Sequence, residues 1–232
     1  MCGRYSLAGP DPSVLRERFA LGERVAVRRR FNVAPGDDVV AVTTDREGNP
    51  RGDVLRWGLV PHWTDDPRTG FKMINARAET LAERPAYREA FAGRRCLVLA
   101  DGFYEWERRP GGPKQAWWIT RADGEPFAFA GLWATWRGGE PEAEPLRTCT
   151  IVTTRANAAI GHIHDRMPVI LPRDAEAAWL DHATPAGALH ELLAPLDPAA
   201  TGMRAVGSAV NDARYDGPAC LDSAPDPPGT LF

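Results

Sequence analysis

Runs rich in Val, Ile, Trp and Phe follow one another along this chain, with turn-forming residues rather than helices between most of them. They cover residues 38–43, 53–60, 95–106, 116–120, 127–136, 149–154, 167–171 and 204–210. A succession of strands without intervening helices argues for antiparallel sheets closing on one another, with helices packed outside. Helical patterns are fewer. Ser13 is placed to cap a short helix through Phe19, and 77–92, 174–182 and 186–194 read as amphipathic. The expectation is an α+β fold.

The chain's 232 residues suffice for one large domain or two small ones. No internal repeat or low-complexity linker divides it, and the Pro/Gly clusters at 107–113 and 138–145 read as hairpin tips or loops. The Pro-rich end, 223–232, reads as a poorly ordered tail after a domain spanning 1–222. Charged residues at 25% and hydrophobic ones at 44% describe an ordinary globular protein. A net charge of −3 means that any nucleic-acid binding must come from a local basic surface. Four cysteines (Cys2, Cys96, Cys149, Cys220) lie far apart with no CxxC pair. That excludes a disulfide framework or zinc ribbon as the first reading and points to a reducing, cytoplasmic setting. No apolar run reaches membrane-spanning length.

The chemistry concentrates at the start, Met1-Cys2-Gly3-Arg4. Removal of Met1 would leave Cys2 with its α-amine and thiol on adjacent carbons, with ordinary pKa values of about 7.7–8.0 and about 8.5. Such a 1,2-aminothiol can use its amine as the base for its thiol. It can also condense with an aldehyde through a Schiff base and close a thiazolidine ring.

Further candidates lie in three separated segments. In 71–80, Asn75 and Arg77 stand at the mouth of the expected helix. Asn75 reads first as a helix N-cap and alternatively as a residue that orients a nucleophile, with Arg77 holding an anion such as phosphate. In 100–106, Glu105 shares strand parity with Leu97, Leu99 and Phe103, which puts a carboxylate on an apolar face unless a bulge intervenes at Gly102. In 160–168, His164 can move a proton near neutral pH beside Asp165 and Arg166. His162-x-His164 lacks a suitable third ligand, so a metal site there is the minor reading. Trp57-Gly-Leu-Val-Pro-His-Trp63 exposes an aromatic in a Pro-bounded loop, suited to stacking on an unpaired base.

Taken in order, Met-Cys-Gly-Arg-Tyr, Phe31-Asn-Val-Ala-Pro-Gly36, Trp57-Gly-Leu-Val-Pro61, Ile74-Asn-Ala-Arg-Ala-Glu-Thr80, Gly102-Phe-Tyr-Glu-Trp106, His164-Asp-Arg-Met-Pro168 and Ala209-Val-Asn211 resemble the SOS response-associated peptidase (SRAP) family, the abasic-site processing proteins. The resemblance spans residues 2 to about 211. It implies a single α+β domain, mainly antiparallel sheets in a barrel-like core with peripheral helices. It also implies covalent crosslinking to abasic sites in single-stranded DNA by a monomeric protein that needs no metal or cofactor and associates with the nucleoid when DNA is damaged. By similarity Cys2 forms the thiazolidine after Met1 is removed, the protein itself being a candidate for that removal. Asn75 positions the Cys2 amine, Glu105 assists proton transfer and sugar ring opening, and His164 acts on the Schiff-base step. Arg77 and Arg166 match phosphate-contacting positions, and Arg4, Asn32 and Trp63 fall at the DNA groove.

Two other classes compete. An N-terminal-nucleophile amidohydrolase or glutamine amidotransferase also begins Met-Cys-Gly, but no segment resembling that family's glutamine-recognition motifs occurs here. A reader of single-stranded DNA without chemistry leaves Cys2, Asn75, Glu105 and His164 unexplained.

Overall fold

A computed structural model describes residues 2–138 and 144–225. In chain order its strands are β1 (Tyr5–Leu7), β2 (Arg30–Val33), β3 (Asp38–Thr44), β4 (Pro50–Trp57), β5 (Asn75–Arg77), β6 (Arg95–Ala100), β7 (Gly102–Glu107), β8 (Gln115–Arg121), β9 (Phe127–Trp136), β10 (Leu146–Arg155), β11 (Arg166–Pro168), β12 (Ile170–Leu171) and β13 (Thr201–Val206). The helices are α1 (Pro12–Arg18), α2 (Pro85–Gly93), α3 (Glu176–Leu180) and α4 (Ala186–Glu191).

Strands β4, β3, β6, β9 and β10 pair in that order, and β10 returns to β4, so the ring closes as a five-stranded barrel. Closure removes the exposed edges of this sheet. The pairs are antiparallel except where β10 runs parallel to β4 and to the short β5. A second, wholly antiparallel sheet runs β13-β8-β7-β1-β2.

Strands β3, β6, β9 and β10 bury residues on both faces, while β4 leaves Val54 exposed. Val39, Ala41, Val98, Phe127, Phe129 and Ile151 pack with Tyr5, Phe103 and Ile119 of the second sheet. The alternate positions Val42, Leu97, Leu99, Ala128, Ala130 and Val152 pack on Leu15 and Phe19 near α1, Tyr87 and Phe91 of α2, and Trp179 of α3. Burial on two sides is why these stretches read as continuous apolar runs. Each fully buried large side chain contributes about 1.5–3 kcal/mol. The buried Arg95 ties helices to barrel. Its guanidinium donates to the carbonyls of Phe91, Ala92, Trp179 and Asp181, at the electronegative ends of α2 and α3.

Four expectations are corrected. The run 95–106 is two strands in different sheets. At the corner, the Asp101 carboxylate accepts from Ser6 Oγ, Ala8 N and Gly9 N, and a Cβ at Gly102 would collide with the Trp118 indole. The predicted helix 77–92 is instead β5, a 3₁₀ turn (Ala78–Thr80) and α2, which Pro85 starts at its first turn. Asp11, not Ser13, caps α1, accepting from Ser13 N at 2.9 Å. The last predicted strand ends at Val206, and Ser208–Asn211 is a 3₁₀ turn. Of the expected tail, Ser223 bridges to Val206, while 226–232 lie outside the described residues.

Candidate active site

The start of the chain is held between the two sheets. Tyr5 pairs with Phe103, and Tyr104 N donates to Arg4 O at 3.0 Å, which brings residue 2 alongside the Glu105 end of β7. The barrel sheet supplies the other side. Asn75 pairs with Ile151 in the short parallel ladder of β5 on β10, and Asn75 Nδ2 donates to the Cys2 carbonyl at 2.7 Å. Tyr87 of α2 supports this arm, its hydroxyl donating to Asn75 O at 3.2 Å. The remaining amide oxygen, Asn75 Oδ1, is buried and finds no hydrogen-bond partner among the described residues. Asn75 therefore stands in a strand and not at a helix mouth, and it reaches Cys2 because β10 offers it a ladder.

Cys2 is fully buried. Burial, aided by the negative charge of Glu105, pushes its thiol well above the ordinary range. In this conformation burial therefore favours the protonated thiol. Glu105 is 4% exposed, so the acid is buried, but not by shared parity. Leu97 and Leu99 pack on the helix side, Phe103 between the sheets, and Tyr104 of opposite parity is buried as well. Burial raises its pKa, while nearby positive charge, His164 included, pulls it back. His164 Nδ1 accepts from Arg166 N at 3.0 Å, which leaves Nε2 to carry the proton in the neutral ring. The same Nδ1 lies 2.9 Å from Asp165 Oδ1. The Asp165 side chain is 87% exposed, so water screens it, and the amide bond is the firmer constraint.

The five expected DNA-groove residues divide. Arg77 at the end of β5 is exposed, and Trp63 is 52% exposed. Arg4 donates to Asn32 Oδ1 at 2.9 Å and Val210 O at 3.0 Å, with its guanidinium over Trp106. Asn32 is 1% exposed and spends its amide on the carbonyls of Asp212 and Tyr215, so it seats Arg4 and the 210–215 segment rather than facing a groove. Arg166 is buried too. It holds Glu79 with two bonds of 2.6 and 2.9 Å and Thr153 O at 2.6 Å, and it keeps the Glu79 carboxyl below the usual range. Both side chains are thus engaged by partners within the fold. Sequence reasoning missed Tyr87 and Glu79 as supports; Glu79 lies inside a motif already singled out. Among the described residues no group of three or more His, Cys, Asp or Glu stands where it could hold a metal.

A thiol, an amide, a buried acid and an imidazole thus lie together where the two sheets meet. This defines a candidate active site built around a cysteine near the start of the chain. The sequence model of the SOS response associated peptidase (SRAP) family matches residues 1–213, and the chain belongs to that family. It is 39% identical over 227 residues to the Bacillus subtilis abasic site processing protein YoqW, covering 96% of this chain and all of the relative. The chicken abasic site processing protein HMCES is 38% identical over 194 residues, which span 72% of this chain and 56% of that longer relative. A crystal structure of a Bordetella bronchiseptica protein superposes with a TM-score of 0.75 at 28% identity, over 89% of this chain and all of the other. One from Bacteroides thetaiotaomicron shares the fold at a TM-score of 0.85 and 24% identity, over 96% of this chain and all of the other.

Proposed function

We propose that this protein captures the aldehyde of an abasic site in single-stranded DNA as a thiazolidine on Cys2, once Met1 has been removed. The observation that carries the reading is the Asn75 amide. Its nitrogen holds the Cys2 carbonyl, and its buried oxygen is an acceptor with no partner among the described residues, on the same side chain that grips Cys2. An α-ammonium released at Cys2 is the donor that such an oxygen requires. The relatives' names supply the substrate class.

The chemistry follows from the groups present. The ring-opened abasic sugar offers an aldehyde carbon. The Cys2 amine adds to it, and the carbinolamine loses water to give the imine, the departing hydroxyl taking a proton from a neighbouring acid. Glu105, with its pKa raised by burial, is matched to giving and retaking that proton, and His164 Nε2–H can donate to the same centre. The thiol then adds across the C=N bond. Sulfur bonds to carbon, the thiol proton passes to the ring nitrogen, and one water is released overall. Burial favours the protonated thiol, which accords with the amine acting first and the sulfur second. Single-stranded DNA presents the lesion without unpairing energy.

The test is incubation with single-stranded DNA bearing one abasic site, followed by denaturing electrophoresis and intact mass measurement. The expected result is a heat-stable adduct on a chain that begins at Cys2. Cys2→Ala should give no stable adduct, since only the thiol closes the ring, and Cys2→Ser only a labile one. Wild-type yield from Cys2→Ala, or active protein retaining Met1, would overturn the reading.

A further inference from the structure

A histidine that hands over its Nε2 proton must keep one tautomer and one orientation. For His164 the Arg166 amide, donating to Nδ1, supports both. The side chain is 30% exposed, so packing alone does not fix the ring. Arg166 is the first residue of β11, and β11 is slender for an element with this task. It is three residues long and lies at the end of its sheet with β10 as its neighbour. Its last residue, Pro168, has no N–H to add to the ladder.

What secures the start of β11 is a side chain. The buried Arg166 guanidinium donates to Thr153 O at 2.6 Å and to the two Glu79 carboxylate oxygens at 2.6 and 2.9 Å. Thr153 of β10 pairs with Arg77 of β5 on one edge and with Pro168 of β11 on the other. Glu79 stands in the turn after β5, so its bridge to Arg166 spans β10 and ties the two short strands together. Taking the carboxylate from a buried cation leaves an uncompensated charge, which is relieved when the guanidinium swings out to water. β11 then yields before β5. β5 keeps its ladder on β10, the Tyr87 hydroxyl on Asn75 O, and the Trp57 and Leu59 bonds to the segment before it. The start of β11 keeps its short ladder and the bond from Ala156 N to Asp165 O.

Resting on the function proposed above, we propose that Glu79 is a positioning residue for crosslinking: through Arg166 it holds the amide that orients the His164 ring. Its own carboxylate is spent on Arg166 and moves no proton in the reaction. Its effect reaches the chemical step by way of His164.

The test is a double-mutant cycle of Glu79→Gln and His164→Ala, read as the crosslinking rate at saturating single-stranded abasic DNA. Glu79→Gln alone should slow the step by about 10- to 100-fold, the order of loss that follows from misplacing a group by about 1 Å. In the His164→Ala background the same change should slow it no further, because its route of action is already gone. Affinity for a single strand carrying a tetrahydrofuran abasic analogue, which has no aldehyde and cannot crosslink, should be kept. A substitution that merely loosened the site would slow both backgrounds alike. Additive losses in the cycle, a wild-type rate in Glu79→Gln, or a loss confined to binding would each overturn the proposal. A second readout needs no DNA. Long-range proton–nitrogen correlation spectra of the neutral His164 ring should place the proton on Nε2 in wild type and show a mixture of tautomers in Glu79→Gln; unchanged ring signals would also overturn the proposal. If wild type formed no adduct, the function proposed above would fall while these spectra still decided the role of Glu79. Should Glu79→Gln fail to fold, Glu79→Asp, with its charge kept on a shorter stem, takes its place in both measurements, and the same non-additivity is expected.

Discussion

At the scale of single residues, Glu105 joins the requirements of folding and of chemistry most tightly. A buried carboxyl with a raised pKa favours its protonated form in the folded state, so its contribution to stability is present below the ordinary carboxylate range. That contribution is lost as pH rises through the raised value. Glu105→Gln removes this loss. The variant should therefore melt at a higher temperature than wild type at pH 8 and show a smaller advantage, or none, at pH 4, as scanning fluorimetry at the two pH values will measure. The same substitution should slow crosslinking by roughly 10²–10⁴-fold, the usual worth of one acid–base group, while binding to single-stranded DNA is kept. An identical shift in melting temperature at both pH values would mean that the carboxyl is not perturbed by burial.

Among the elements, β5 matters more than its three residues suggest, because it carries Asn75 to Cys2. It is held through its own ladder on β10 and through the segment before it: Trp57 Nε1 donates to Ile74 O at 2.9 Å and Leu59 N to Met73 O at 3.2 Å. That segment can lie so close only because Gly58 and Gly70 meet back to back. Gly58 has φ +124°, and a Cβ there would stand 2.7 Å from the Gly70 carbonyl oxygen. Gly58→Ala should cost roughly 2 kcal/mol or more, combining left-handed backbone strain with overpacking, and should reduce crosslinking by displacing Asn75. Urea unfolding and the gel assay will read the two effects. Unchanged values in both would mean that the segment relaxes freely. The element was misread from sequence for a physical reason. Three residues are too few to display a period of two, and what makes Asn75–Arg77 a strand is the stretch Ile151–Thr153 of β10, which runs on past the pairing with β4.

For the molecule as a whole, a net charge of −3 offers no general attraction for DNA, so binding must rest on a few local cations. Affinity for single-stranded DNA should then fall steeply with salt and exceed that for intact duplex. Arg77→Ala should weaken binding more than it slows the chemical step, since a phosphate contact takes no part in the bond changes. Titrations at several salt concentrations, on single strands and duplex, will measure this. Indifference to salt, or equal binding to duplex, would remove the electrostatic basis of the interface. No helix among the described residues is long and apolar enough to cross a membrane.

The sequence alone determined what is local or compositional. Sheets dominate because β-rich runs follow one another, Cys2 is distinctive because it adjoins the start of the chain, and Glu105 stands among aromatic and apolar neighbours that mark it as a buried acid. Tertiary structure decided whatever depends on which segments become neighbours. Closure of β10 onto β4 makes the barrel, and the ladder of β5 on β10 brings Asn75 within 2.7 Å of residue 2. An arginine reads alike in sequence whether it faces solvent or a carboxylate. Only the folded chain separates Arg77, left exposed, from Arg166, locked onto Glu79, because ionic pairing depends on distances of a few ångströms between residues far apart along the chain.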